Sequence, residues 1–413
     1  MNFLSHFPDA KTLLERSSSF SQDPVVADVN GHIHTPFSFS SFDSIPQAFA
    51  MAVAEDVKIL GINDFYVTDG YAEFYEEALK NKVFPLFNIE FMALQKELQA
   101  SGIRVNDPNN PGRTYFSGKG LSFPLSFSND AAQKLLQLKT ESNLQTEEMV
   151  KRLNHHLKLV NVPIQIDFFT MKNQLARELV RERHIAKALR IAVYELYASD
   201  AERKSALTLI FKGKEPKSVL DDVAGIENEI RSALLKTGGP AFVEENDQAF
   251  FSLETVKDLI VNGGGIPCYP VLLDDSKGNF TDFEGDWGKM ADYLASKGIY
   301  SVELIPGRNS QAVLLEFVRF FHSRGFVVLF GTEHNTPDLT PLTIVCRDKK
   351  PLSDELKKIG YEGACVVAAH QYCMAKGESG YVDKDGNSKF TQRDEFVKLG
   401  RAILSYYFNE FRN

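Results

Sequence analysis

VVADVNGHIH, residues 25–34, is the stretch from which the rest of the chain can be read. The apolar run 25–30 has the length and composition of a buried parallel strand, in which side chains alternate between faces. His32 and His34 then point the same way. With Gly31 marking the end of the strand, both imidazoles stand at its C-terminal edge, where α/β barrels and open α/β sheets place their chemistry. Two neutral imidazoles on one face are half of a metal site. The other half has to come from carboxylates at other strand ends.

Size and charge limit what such a site can belong to. The chain has 413 residues, 43% of them hydrophobic, enough for an α/β barrel carrying an insertion. A net charge of −9 removes the basic field that tight nucleic-acid binding uses, so no nucleic-acid partner is expected. Cys268, Cys346, Cys365 and Cys373 show no C-x-x-C spacing and are few for the length, so neither a zinc cluster nor a disulfide framework is indicated and reduced, cytoplasmic thiols are the simplest reading. No signal-like start and no apolar run near 18 residues is present, so neither export nor a membrane partner is expected.

Outward from the first strand, the chain alternates strand and helix. Residues 1–24 read as a lead-in with a short helix at 10–16. Asp43 or Ser44 caps a helix with Pro46 in its first turn, and KILGIND (58–64) is a strand that delivers Asp64. A helix at 72–81 precedes VFPLFNIEFMAL (83–94), which delivers Glu90. From 95 to 250 the rhythm changes to a mainly helical insertion, with one strand in RTYFSGKGL (113–121) and helices at 129–160, 171–196 and within 215–239. The alternation returns over 251–413. It comprises a helix at 253–262, GGGIPCYPVLL (263–273), a helix at 285–296, IYSVELI (299–305), a helix at 311–323 and FVVLFGTEH (326–334), ending in Glu333 and His334. LTIVC (342–346) and ACVVAA (364–369) are the last strand candidates, before a closing helix at 393–411.

The ordered set HIH (32–34), GIND (61–64), NIE (88–90), RHIAKAL (183–189), GGIPCYP (264–270) and GTEH (331–334) resembles the PHP (polymerase and histidinol phosphatase) superfamily over 25–341, closest to its stand-alone members with a helical insertion. The resemblance implies a distorted (β/α)7, TIM-like barrel formed by 25–94 and 251–413, and metal-dependent phosphoesterase chemistry. It also implies departures. Phe39 stands where the family has an aspartate, Phe65 where T-D-H has its histidine, and Tyr115 and Tyr269 where two further histidines fall. His32, His34, Glu90 and Glu333 occupy the four positions used for one metal, with His334 as a possible addition. The expectation is one divalent ion per chain (Zn, Mn or Fe) and a small anionic, phosphorylated substrate.

The remaining candidates carry alternatives. Asp64 serves as general base, as partner to a ligand histidine, or as a turn cap. His184 faces the site by the family match, or is an ordinary helix histidine. Arg308 clamps an anion in bidentate fashion, or is a solvated loop residue. Glu303 reads as a strand residue with a structural partner. SGKG (117–120) lacks a full phosphate-loop pattern, and VDKDGN (382–387) reads as a D-G hairpin turn. The missing ligands leave a catalytically degenerate barrel that binds a ligand or partner as the second class beside the hydrolase.

Overall fold

The computed structural model describes residues 2–18 and 26–411; Val25, the first residue of the expected opening strand, and most of the last third of the 1–24 lead-in lie outside them. Seven strands form one sheet in chain order: β1 (Asp28–Ile33), β2 (Val57–Phe65), β3 (Phe84–Leu94), β4 (Arg113–Lys119), β5 (Ile266–Val271), β6 (Ser301–Leu304) and β7 (Val327–Phe330). All neighbours run parallel except β4, which is antiparallel to both β3 and β5. The sheet curls back on itself. Beyond β7, Thr332 and Glu333 donate their amides to the His32 carbonyl, and His34 N–H donates to the Glu333 carbonyl at 2.7 Å, which joins the last strand to the first. This is the expected distorted seven-stranded barrel.

Alternation along each strand divides the molecule. On one face of β2 and β3, Ile59, Phe84 and Leu86 join Ile266, Cys268, Val327 and Leu329 in an apolar cluster. The same face, continued toward the strands' C-terminal ends, carries Asn63, Asn88 and Glu90. The opposite face, with Leu60, Ile62, Ile89 and Val302, packs under the surrounding helices. These include α2 (Ile45–Ala54), α3 (Tyr71–Asn81), α10 (Leu253–Asn262), α11 (Trp287–Ser296) and α12 (Gln311–Ser323). The outer helix α1 (Ala10–Ser18) and the single turn α4 (Lys96–Ala100) complete this part. Ser44 caps α2, with Pro46 in its first turn.

Two expected strands are absent. ACVVAA lies inside α13 (Asp354–Ala375), whose residues from Gly363 to Cys373 are all buried, and LTIVC is a loop with one isolated bridge. A helix buried all round loses its 3.6-residue signature and reads as an apolar run, the same pattern a buried strand gives. α13 closes the N-terminal end of the barrel together with α14 (Arg393–Asn409). Its close approach depends on Gly363, where a Cβ would fall 2.0 Å from the Val328 carbonyl oxygen.

The expected helix at 171–196 is two: α6 (Phe168–Leu175) and α7 (Glu182–Leu196). With α5 (Asn129–Leu159), α8 (Asp200–Ile210) and α9 (Val223–Ile230) they enclose a separate apolar cluster running from Met149 to Ala241. β4, although inside 95–250, is a full member of the barrel sheet. VDKDGN does form a turn, with Asp383 N–H donating to the Asn387 carbonyl. Among the described residues no helix is long and apolar enough to cross a membrane.

His370, on α13, makes the fold sensitive to acid. Its Nε2–H donates to the Gly264 carbonyl at 2.6 Å while Nδ1 accepts from Tyr381 N–H at 2.9 Å, and burial pushes the imidazole down to about 4. Because the folded value lies below the unfolded one, the stability that the neutral ring contributes is present above about pH 6.5 and is lost as pH falls toward 4. Denaturant titrations should show a loss on the order of 3 kcal/mol from this group across that window. His370→Gln should flatten that part of the profile; an unchanged slope would remove His370 as the cause.

Candidate metal centre

His32 and His34 come together because they flank Ile33, the last paired residue of β1, and side chains two apart along a strand share a face. Ser38 and Asp64 fix the second ring. Asp64 Oδ1 accepts from Thr35 N–H at 2.7 Å and from Ser38 Oγ–H at 2.5 Å, and its Oδ2 accepts from Thr35 Oγ1 at 2.5 Å. With its proton committed to Asp64, Ser38 Oγ accepts from His34 Nδ1–H at 3.0 Å. The Nε2 lone pair of His34 is therefore free. The first ring is fixed by Glu303, whose Oε2 lies 3.0 Å from His32 Nδ1 and accepts a hydrogen bond from Nδ1–H, so the Nε2 lone pair of His32 is free as well.

The two lone pairs meet each other and Glu90. His32 Nε2 and His34 Nε2 are 3.2 Å apart, and Glu90 Oε2 lies 3.6 Å from the first and 3.1 Å from the second. Glu90 Oε2 is buried and has no hydrogen-bond partner. Once Glu90 is ionised, three acceptors converge with no donor among them, which is unfavourable unless a cation sits there. The spacing fits one: an ion about 2.0–2.2 Å from each ligand separates tetrahedral ligands by roughly 3.3 Å. These are also the residues whose ligand atoms cluster within 4.8 Å, all three of them buried. Burial, with Glu333 and Glu303 adding to it, pushes the Glu90 carboxyl up to about 8, and burial lowers His34, which keeps that imidazole neutral.

The barrel floor opens into a cleft of about 1140 Å³ at the C-terminal strand ends. Its wall comes from both parts of the chain: Glu90, Tyr115, Glu303, Arg308 and Glu333 from the barrel, and Ser142, Arg181, Arg183, Arg231 and Lys236 from the helical segment.

The PHP domain family model matches residues 30–238, just over half of the chain. The chain belongs to the PHP domain family. Among solved structures, a Bifidobacterium adolescentis protein described as a "putative metal-dependent phosphoesterase" is similar at 15% identity and a TM-score of 0.51, over 82% of this chain and 96% of that one. An amidohydrolase from Chromobacterium violaceum, with bound sulfate and no metal, aligns at 17% identity and a TM-score of 0.48, over 81% and 97%. A search of curated proteins finds no match.

Within this PHP domain the expected site residues separate. His32, His34 and Glu90 converge. Glu333 lines the same cleft but stands outside the cluster, because Arg308 holds its carboxylate in an ion pair. Burial would raise Glu333, yet the Arg308 guanidinium outweighs it and holds it below the usual carboxylate range. Arg308 is thereby committed, and does not reach into the cleft as a free clamp. His334 does follow a turn, since Glu333 and His334 both have positive φ. Its ring is nevertheless used up: Nδ1 meets Thr332 Oγ1 at 2.6 Å, Nε2 meets the Thr340 carbonyl at 2.8 Å, and the ring stacks on Phe42.

Asp64 is fully buried behind His34 and absent from the cleft wall, which suits a partner to a ligand histidine and not a general base. Burial raises its carboxyl against three donors that lower it. His184 is likewise not in the wall. Its Nδ1 accepts from Arg181 N–H at 2.9 Å and caps α7, while its ring packs edge-on against Phe39, so a role in catalysis has no geometric support. Tyr115 lines the cleft, but Tyr269 faces outward and donates to Glu284 at 2.9 Å. A one-residue shift flips a strand side chain to the other face, and the inward positions on β5 are Cys268 and Pro270.

Sequence reasoning missed Lys119 and Asn63, and read Glu303 only as a strand residue with a structural partner, without its contact to His32. Lys119, 1% exposed, donates from Nζ to Glu303 Oε1 at 2.5 Å and to Asn63 Oδ1 at 3.0 Å. Burial would raise Glu303, but His32 and Lys119 outweigh it and hold the carboxyl down at about 2. A lysine on a strand whose neighbours are all buried was the available signal, since an unpaired ammonium does not persist there.

Proposed function

We propose that this chain is a metal-dependent hydrolase acting on a phosphoester of a small anionic metabolite. The observation that carries the reading is the convergence of His32 Nε2, His34 Nε2 and Glu90 Oε2, three acceptors without a donor once Glu90 is ionised, at the floor of an open cleft. These residues would hold one divalent ion, with Zn, Mn or Fe suiting two imidazoles and a carboxylate. When bound, such an ion lowers the pKa of a water and polarises a phosphoryl oxygen. Membership of the PHP domain family and the fold shared with the Bifidobacterium adolescentis protein support the same chemistry.

The chain's own groups supply the rest. Asp64 and Glu303 hold the two imidazoles in one tautomer through Ser38 and directly. Arg181 lines the cleft with its guanidinium 4.9 Å from the Phe65 ring centroid, and that ring lies 5.0 Å from His34. Unlike Arg308, it makes no ion pair among the described residues, so it is, with Arg183, a cation available to an anionic substrate group. Apart from β4, residues 95–250 act as an insertion whose helices wall the cleft and restrict what enters.

Arg181→Met should raise KM for a phosphorylated substrate by about 10-fold or more, with a smaller change in kcat. Arg308→Met should act differently, through release of Glu333. Equal KM values for wild type and the Arg181 variant would remove its role as the anion contact. The reading as a whole is tested by elemental analysis after chelator-free purification, with a phosphatase screen over nucleotides and sugar phosphates. No bound metal and no turnover with added Mn, Zn or Fe would leave the binding-protein reading, which the capture of Glu333 by Arg308 favours.

A further inference from the structure

Lys119 is a buried ammonium that touches no cleft surface, yet every polar atom it meets leads to His32. On one side it donates to Glu303 Oε1 at 2.5 Å, and the other oxygen of that carboxylate is 3.0 Å from His32 Nδ1. On the other side it donates to Asn63 Oδ1 at 3.0 Å, which sets the orientation of the amide and turns Nδ2 toward the same imidazole, 2.9 Å from Nε2 and 3.3 Å from Nδ1. A nitrogen that close to both ring nitrogens cannot lie in the ring plane without colliding with the carbon between them. The amide therefore lies over the ring face, and the in-plane lone pair of Nε2 stays directed at His34 and Glu90.

We infer that Lys119 is a positioning residue for the metal centre: its ammonium clamps Glu303 behind His32 and Asn63 over it, fixing the ring's tautomer and plane so that Nε2 is delivered to the ion. The inference rests on the metal-centre reading above. A purely stabilising buried pair is the competing account. It is disfavoured because such pairs rarely outperform apolar residues of similar volume, and because both acceptors of this lysine contact the same imidazole.

The test uses the full chain with Zn or Mn as the probe. Lys119→Met keeps the length of the side chain and removes the ammonium; it should weaken metal binding by about 10- to 100-fold in calorimetric titration. Glu303→Gln should do the same, and the double variant should be no worse than the weaker-binding single variant, since the two act as one unit. In metal-free protein labelled with ¹⁵N-histidine, His32 should show a single tautomer protonated at Nδ1 in wild type and a mixture in Lys119→Met. Asn63→Leu, which leaves the Lys119–Glu303 pair intact, gives an independent loss of affinity if the lysine variant does not fold. Unchanged affinity in the folded variants, additive losses in the double variant, or an unchanged His32 tautomer would each overturn the inference. Failure of the wild type itself to bind metal would overturn the hydrolase reading instead, and the tautomer measurement would still decide the role of Lys119.

Discussion

Glu90→Gln should strip the centre of its ion and lower turnover by more than about 10³-fold, because the substitution removes one of three converging ligands and the carboxamide supplies no charge. The same replacement should leave the fold intact. In the metal-free protein the Glu90 carboxyl is pushed up to about 8, so around neutral pH it is protonated and glutamine is close to its equivalent in shape and charge. The sign of the stability effect follows. A carboxyl whose folded pKa is raised contributes stability below its unfolded value and loses it as pH rises through the folded one. Metal-free wild type should therefore lose stability relative to the glutamine variant as pH rises from about 4.5 to 8. Thermal melts at both ends of that window, with chelator present, check this: a variant less stable than wild type at the alkaline end would contradict the assigned environment of Glu90.

Gly331→Ala should damage the centre without touching a ligand. An added Cβ would fall 2.3 Å from the Cβ of His32 and 2.9 Å from its amide nitrogen, at the point where the chain leaving β7 seals the barrel against β1. Neither atom is the free end of a flexible side chain, so β1 has to move. Overpacking of this kind costs roughly 1–3 kcal/mol of stability. The larger effect should be on chemistry, since displacement of His32 by a fraction of an ångström to one ångström costs on the order of 100-fold in rate. A folded Gly331→Ala protein with wild-type metal affinity and turnover would show that His32 does not need its present position.

What the sequence made legible was whatever a single strand carries. The pair His32 and His34 on one face of β1 and Glu90 carried on β3 both follow from a two-residue period read locally. What stayed hidden depends on several segments at once. Glu303, Lys119 and Asn63 belong to β6, β4 and β2, and only the curled sheet brings them to one imidazole. Glu333 was placed at the right strand end, but its capture by Arg308 follows from a turn with two consecutive positive-φ residues that no propensity announces. Tyr269 failed by one residue of register, and His184 failed because a position carried over by resemblance here serves as a helix cap. ACVVAA failed for a different reason: full burial erases the periodicity that separates helix from strand.

The central claim is one ion per chain, held by His32, His34 and Glu90. Elemental analysis of protein purified without chelator, combined with anomalous scattering from its crystals, tests it most directly. The account predicts one equivalent of metal and one anomalous peak within about 2.0–2.3 Å of His32 Nε2, His34 Nε2 and Glu90 Oε2. Two well-occupied ions in the cleft, or a single ion bound away from these three atoms, would contradict it.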